Sequence, residues 1–101
     1  MSSYSFSDQA VRDLDEICNY LAQDNPKAAS MLFDAIRKKC KLIASFPKMG
    51  KNYHKLRSNL RGFLVDDYII FYYPRQEGIY VVRVVSGYRD LEYLFDDESE
   101  G

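Results

Sequence analysis

The feature that most constrains the fold is a change of hydrophobic periodicity at Phe46-Pro47. Before this point, apolar residues recur at spacings of three and four, which is typical of amphipathic helices. After it, aromatic and β-branched residues cluster in three segments, 60–65, 68–73 and 79–86, which predicts strands. Because proline disfavours helix at the residue before it, the helical part is expected to end here.

Two helices are predicted in the first half of the chain, separated by Asp24-Asn25-Pro26. Ser7 is the expected N-cap of the first helix, and Asn25, with Pro26 at the first helical position, is that of the second. So short a connection predicts an antiparallel helical hairpin. The apolar stripes expected to face the core are Ala10, Val11, Leu14, Ile17, Cys18 and Leu21 in the first helix and Ala29, Leu32, Phe33, Ile36, Cys40 and Ile43 in the second.

The strands should form an antiparallel meander, with turns at Asp66-Asp67 and at residues 74–78. Tyr4–Phe6 adds a short N-terminal strand. Since the helices need an apolar surface to cover, the sequence predicts an α+β fold in which an N-terminal helical hairpin packs on one face of a small, mainly antiparallel sheet. The opposite face should be partly open. A single domain over residues 1–95 is expected, followed by an acidic, disordered tail over 96–101.

Charge is strongly segregated along the chain, although the net charge is only -1. Residues 35–65 contain nine basic residues and no acidic one, whereas residues 1–34 contain two basic and six acidic residues. The tail from Asp96 to Gly101 is acidic. This pattern predicts one positive face and an anionic partner for it.

Other classes of protein are disfavoured by composition. The longest apolar runs, about six residues, are far shorter than a membrane span, and the first residues lack the basic start and apolar segment of a signal peptide. We therefore expect a cytoplasmic protein with no membrane contact. Cys18, Cys40 and the single histidine do not form a metal-site pattern, so no metal or cofactor is expected and the thiols are interpreted as small buried hydrophobes.

The order of several short features resembles the ParE branch of the RelE/ParE superfamily, the small toxins of bacterial toxin–antitoxin pairs. These features are Phe46-Pro47 followed by Gly50, Leu60-Arg61, the aromatic run 68–73, Arg83-Val84-Val85, and Gly87 followed by Arg89-Asp90. The resemblance covers nearly the full length. It implies a toxin that inhibits DNA gyrase by binding, and a cognate antitoxin whose acidic and apolar C-terminal segment wraps the toxin in a hetero-oligomer.

The competing hypothesis is a RelE-type endoribonuclease that cuts mRNA on the ribosome, and a third is a toxin-like domain that has lost toxicity. RelE-type nucleases carry an arginine after the aromatic residue that opens the middle strand, where this chain has Ile69. They also carry a tyrosine six residues after the arginine of a C-terminal Gly-x-Arg, where this chain has Phe95. Both differences favour binding of gyrase over RNA cleavage.

Arg83 is the most informative candidate site residue because it lies in the middle of an apolar strand. A buried arginine requires a partner, so it either pairs with an acid such as Asp66, Asp67 or Asp90 or faces an anionic target on the open face. Arg61, at the start of the first long strand, and Arg89, just past the end of the last, could converge with it at one end of the open face. The predicted target-binding residues are Arg61, Arg83, Tyr88, Arg89 and Tyr93.

Two further sets of candidate site residues are predicted, one for RNA cleavage and one for binding of the antitoxin. Cleavage by attack of a 2′-hydroxyl needs a base, an acid and cationic support, for which the candidates are His54, Lys55, Arg61, Arg83 and Arg89. A lone histidine without an orienting carboxylate nearby in sequence is more often incidental. The basic stretch suits an acidic antitoxin segment, and the predicted contacts are Arg37, Lys41, Lys51, Lys55 and Arg57.

Overall fold

Two helices pack on one face of a five-stranded, mostly antiparallel sheet, which confirms the predicted α+β fold. The computed structural model describes residues 3–87, and nothing is said of the structure of residues 1–2 and 88–101. The elements in chain order are β1 (Ser3–Phe6), α1 (Asp8–Asp24), α2 (Pro26–Ser45), β2 (Lys51–Asn52), β3 (Arg61–Val65), β4 (Tyr68–Arg75) and β5 (Gly78–Ser86).

The strand order is β1-β5-β4-β3-β2, in which β1 runs parallel to β5 and all other neighbours are antiparallel. The meander predicted from the sequence is therefore confirmed. The two-residue strand β2 was not predicted, since it lies within a stretch interpreted as irregular. In the described part of the chain, neither helix is long and apolar enough to cross a membrane.

Both predicted helix caps are confirmed. The Ser7 hydroxyl oxygen accepts a hydrogen bond from the Ala10 amide at 3.0 Å, and the Asn25 side-chain oxygen accepts one from the Ala28 amide at 3.1 Å. The Ser7 hydroxyl also donates to the Val82 carbonyl at 3.0 Å. The first residue of the helical hairpin is thus fastened directly to β5.

Among the described residues, the helical hairpin and the sheet enclose the larger of two apolar clusters. Ile36, Tyr72 and Val81 are fully buried in it. Burial of a large aliphatic or aromatic side chain contributes about 1.5–3 kcal/mol, so this layer supplies most of the apolar stabilisation. Its buried members are Ala10, Leu32, Ile36, Cys40, Ile43, Ala44, Phe63, Val65, Ile70, Tyr72, Ile79, Val81 and Val84.

The opposite face of the sheet holds a second apolar cluster, and the connection between β2 and β3 contributes to it. Leu60 and Phe71 are fully buried there, and the Tyr53 ring stands edge-on to the Phe71 ring at 5.0 Å. This face is thus partly open, as predicted, at Leu64, which is 62% exposed beside Ile69, but it is covered around Phe71. The reason is that the connection carries apolar side chains that fold back onto the sheet: Tyr53, Leu56 and Leu60.

A β-bulge in β5 changes which residues face the helices. Phe71 pairs with Arg83 and Tyr72 pairs with Val81, so Val82 is an extra residue without a partner of its own. As a result Val84 joins Val81 in the cluster under the helices, while Val82 packs in the other cluster. Strict alternation along β5 would place Val82 and Val84 on the same face, and the bulge separates them.

The turn between β4 and β5 is tighter than predicted. The two strands extend to Arg75 and from Gly78, which leaves a connection of two residues where five had been expected. Gly78 has φ +153°, and a Cβ atom at this position would overlap the backbone of Ser3. Glycine is required because β1 lies directly against β5 at this point.

Candidate functional site

An apolar groove of about 620 Å³ lies between the two helices and β1. Val11 and Phe33, which the helical periodicity assigned to the core, are instead 46% and 38% exposed in its walls. Val11 and Phe33 lie at the edge of the apolar stripe of each helix, where the sheet does not cover the stripe. The groove is lined by Tyr4, Phe6, Val11, Leu14, Asp15, Cys18, Asn19, Ala22, Ala29, Ser30, Phe33 and Arg37.

The charged residues at this groove are few and lie at its rim. The Arg37 guanidinium carbon is 5.9 Å from the centre of the Phe33 ring, within the range of a cation–π contact. Partial burial, with a smaller effect of Asp15, raises the pKa of the Cys18 thiol in the groove wall. The raised pKa keeps the Cys18 thiol protonated at neutral pH, so it adds a neutral side chain to the groove wall. The groove thus offers an apolar floor with one cation, Arg37, and one acid, Asp15, among its described lining residues.

A basic cleft of about 870 Å³ lies between the β2–β3 connection and the end of β4. Four cationic side chains line it, and its floor includes the buried Leu60. The cleft brings together residues that are far apart in sequence. It is lined by Lys48, Asn52, His54, Arg57, Ser58, Asn59, Leu60, Arg61, Tyr73, Pro74 and Arg75.

Arg61 holds the chain that follows α2 in place. Its Nη1 donates to the carbonyls of Lys48 at 3.0 Å and Gly50 at 2.8 Å. Tyr72 fastens the same segment, since its hydroxyl donates to the Pro47 carbonyl at 2.6 Å and accepts from the Gly50 amide at 3.0 Å. Burial raises the pKa of Tyr72, and the Gly50 amide and Arg61 partly offset this effect. Arg61 therefore has a clear structural role at the wall of the cleft.

His54 is oriented by a neighbouring amide. The Asn52 side-chain oxygen accepts a hydrogen bond from the His54 amide at 2.7 Å and lies 2.9 Å from the ring Nδ1. Because this oxygen is only an acceptor, Nδ1 carries the proton and Nε2 is the acceptor nitrogen of the neutral ring. The orienting group is thus an amide, Asn52, and not the carboxylate that a histidine of this kind was expected to need. Lys55 is exposed in the same turn but is not among the residues that line the cleft.

Arg83 forms an ion pair with Asp13 of α1. Its Nε lies 2.8 Å from Asp13 Oδ2 and its Nη2 lies 3.3 Å from Oδ1. The side chains are only 12% and 9% exposed. The ion-pair alternative was correct, and the observed partner is Asp13 rather than Asp66 or Asp67. Asp90, the third acid named for it, lies outside the described residues. Arg83 is bound beneath α1, so it is withdrawn from the predicted target-binding and catalytic sets.

Asp13 is the important residue that sequence reasoning missed. Besides the ion pair, its carboxylate accepts from the Val84 amide at 3.0 Å and from the Gln9 side chain at 3.0 Å. A signal for it was present, because Asp13 follows the buried Ala10 by three residues and precedes Ile17 by four, which places an acid within an apolar stripe. An acid at such a position requires a buried partner.

The remaining predicted site residues do not form one surface. Arg37 lies at the apolar groove, and Arg57 lines the basic cleft. Lys51 is on β2, with its Nζ 5.3 Å from the centre of the Tyr53 ring. Lys41 is exposed on α2. The predicted antitoxin contacts are thus distributed around the molecule. Tyr88, Arg89 and Tyr93 of the predicted target surface, and Phe95, lie outside the described residues.

Comparison with known proteins assigns the family. Residues 4–91 match the family model of the ParE toxin of the type II toxin-antitoxin system, parDE. Toxin ParE3 of Caulobacter vibrioides (strain ATCC 19089 / CIP 103742 / CB 15) is 28% identical over 80 residues, which cover 78% of this chain and 80% of that relative. A solved structure described as the chromosomal ParDE TA system from P. aeruginosa matches with a TM-score of 0.70 at 17% identity, covering 85% of this chain and 96% of that chain. The structural match supports the fold, and the sequence match over most of the length shows that the chain belongs to the ParE toxin family of type II toxin–antitoxin systems.

Proposed function

We propose that this chain is the toxin of a ParDE-type pair, acts in the cytoplasm, and is neutralised by an antitoxin that fills the apolar groove between α1, α2 and β1. The observation that carries the proposal is the exposure of Val11 and Phe33 in that groove. Exposed apolar surfaces with a polar rim often mark sites of protein–protein interaction. A toxin that must be held inactive requires such a partner.

The groove indicates the chemistry of the antitoxin segment. Its apolar walls suit leucine-like or aromatic side chains, and Arg37 at the rim suits an acidic residue. The predicted antitoxin contacts were Arg37, Lys41, Lys51, Lys55 and Arg57. Of these, Arg37 adjoins this groove. An amphipathic segment with an acidic flank combines both properties.

The test compares two exposed residues of α2. Phe33→Asp places an unpaired charge in the groove, and we expect affinity for the antitoxin to fall by about thirtyfold or more, as for a central interface residue. Met31→Asp is the matched control, because Met31 is 63% exposed and does not line the groove. Cells that produce the antitoxin should be killed by Phe33→Asp and protected from Met31→Asp. Equal neutralisation of both variants would place the antitoxin elsewhere.

We propose DNA gyrase as the target, in preference to mRNA on the ribosome. Support comes from two residues, Arg83 and Ile69, at positions where the nuclease hypothesis requires a cationic side chain near the site. Arg83 is bound to Asp13, which removes it from the cleft that holds His54 and Arg61. Ile69, at the position where nucleases carry an arginine, is 5% exposed in an apolar cluster. These differences leave His54 and Arg61 without two of the cationic groups expected beside them.

Purified toxin should inhibit supercoiling by gyrase, and its induction without antitoxin should cause DNA breaks and no cuts in translated mRNA. His54→Gln separates the two targets. It removes the only histidine, so toxicity should persist if gyrase is the target and disappear if His54 is a catalytic base. Codon-positioned mRNA cleavage that His54→Gln abolishes would overturn the gyrase proposal.

For the surface that contacts the target, we retain Arg61, Tyr88, Arg89 and Tyr93 and withdraw Arg83. Arg61 is already bound to two carbonyls, so its substitution would also loosen the cleft wall. Arg89 gives the cleaner test. Arg89→Ala should bind the antitoxin normally and lose toxicity, and a fully toxic variant would move the target surface to the region of Lys51 to Arg57.

A further inference from the structure

Opposite charges are concentrated in two parts of this chain. Residues 3–87 contain 13 basic and nine acidic residues, whereas residues 88–101 contain six acidic residues and one basic residue. Four of the acids follow one another closely: Asp96, Asp97, Glu98 and Glu100. The C-terminal segment is therefore acidic, and its charge is complementary to that of a basic surface on the same chain.

The basic cleft is the cavity with the matching charge. Lys48, Arg57 and Arg75 line it, together with Arg61, and no acidic residue is among its lining residues in the described part of the chain. The apolar groove between the helices is a poorer match, because Arg37 and Asp15 at that groove have opposite charges. Charge complementarity thus selects the cleft over the groove.

The C-terminal segment is long enough to reach this cleft. The last described residue, Gly87, lies beside Ile69 near the start of β4, and its amide donates to the Asp67 carbonyl. The cleft includes Tyr73 and Arg75 near the other end of the same strand. Seven residues of strand span about 23 Å, and nine residues of extended chain from Gly87 to Asp96 span up to about 30 Å. The acids can therefore reach the cleft.

We propose that residues 96–100 dock in the basic cleft and act as an internal anionic ligand. The proposal does not depend on the target or on the antitoxin. A tethered segment has an effective concentration in the millimolar range, so even a weak contact would occupy the cleft for most of the time. Any acidic segment from another protein must displace the tail first, which lowers its apparent affinity.

The first test locates the tail. A nitroxide label on Ser99→Cys, in a Cys18→Ala background of the full chain, leaves all four acids intact, and Cys40 is fully buried. We expect the amide signals of His54, Asn59 and Arg75 to broaden, and those of the groove to remain sharp. The broadening should disappear at 1 M salt, where the screening length is about 3 Å. Broadening centred on the groove, or none that is localised, would overturn the proposal.

The second test measures competition with a fluorescein-labelled hexaglutamate peptide. Neutralising the tail with Asp96→Asn, Asp97→Asn, Glu98→Gln and Glu100→Gln should tighten peptide binding by about tenfold, because an occupant present about nine-tenths of the time is removed. The control neutralises Asp24 and Asp34, two exposed acids on the helices, and should change nothing. Combining the neutralised tail with Arg57→Gln and Arg75→Gln should abolish the gain. Equal peptide affinity with and without the tail charges would contradict the proposal.

Discussion

Removal of Asp13 should be among the most damaging substitutions of a charged residue in this protein. Asp13→Ala deletes the carboxylate that binds Arg83 at 2.8 Å and the Val84 amide at 3.0 Å. It leaves the guanidinium, which is 12% exposed, without this partner beneath α1. Breaking a buried pair by removing one member costs about 3–5 kcal/mol. This is a large fraction of the 5–15 kcal/mol, roughly, by which domains are stable.

Urea denaturation of the purified chain measures this effect. With a slope of about 1–2 kcal/mol per molar urea, a loss of 3 kcal/mol lowers the midpoint by about 1.5–3 M. Glu16→Ala is the matched control, since Glu16 is an exposed acid on the same helix. Its free energy of unfolding should change by no more than about 0.5 kcal/mol.

The double variant Asp13→Leu with Arg83→Met tests the reasoning more strictly. Apolar replacement of a buried ion pair is often neutral, so part of the loss should be recovered. An unsatisfied Val84 amide leaves a residual cost of about 1–3 kcal/mol. Two results would show that the pair is not the buried interaction described above. One is a loss of less than about 1 kcal/mol in the free energy of unfolding of Asp13→Ala. The other is a double variant whose loss equals the sum of the losses of Asp13→Leu and Arg83→Met alone.

Two further predictions follow from buried groups. Tyr72→Phe removes the hydroxyl that binds the Pro47 carbonyl and the Gly50 amide, so stability should fall by about 1–3 kcal/mol, whereas Tyr73→Phe on the other face serves as the control and should change little. Burial raises the pKa of Cys40 from 9.0 to about 12, so above pH 9 the thiolate forms first in the unfolded chain. Stability should therefore fall between pH 9 and 12 and fall less steeply in Cys40→Val, and identical pH profiles would show that Cys40 is not responsible.

The local parts of the fold were predictable from the sequence because single residues determine them. Ser7 and Asn25 cap the helices as expected, since their side-chain oxygens satisfy amides only three residues away. Asp66, at φ 53°, adopts the left-handed conformation that aspartate tolerates in turns. Each of these contacts lies within a few residues along the chain.

The features that depend on distant contacts were not predictable in detail. The ion pair of Arg83 joins residues 70 positions apart, and three acids nearer in sequence were equally plausible partners. The bulge at Val82 lies in an apolar run that is interrupted by Arg83, and both faces of the sheet carry apolar clusters there, so the hydrophobic pattern does not mark where the alternation shifts.

The candidate surfaces show the same limit. Charge counting predicted a positive region, and a cleft with four cations exists within it. Charge counting could not show which basic residues share a surface, because Arg37 on α2 lines the groove whereas Arg57 in the β2–β3 connection lines the cleft. The groove was missed for a related reason. Periodicity identifies an apolar stripe, but only packing decides how wide a part of that stripe the sheet covers.

The two surfaces are built from separate parts of the chain, and this bears on how the toxin is controlled. The groove uses β1, α1 and α2, whereas the cleft uses the segment 48–61 and the end of β4, and no described residue lines both. An antitoxin segment confined to the groove would therefore leave the cleft uncovered. Neutralisation then requires either a longer antitoxin that also reaches the target surface or steric exclusion of the target by the antitoxin's bulk. A groove-binding peptide fused to an unrelated folded domain distinguishes the two arrangements, because the fusion should neutralise the toxin only if bulk at the groove is sufficient to exclude the target.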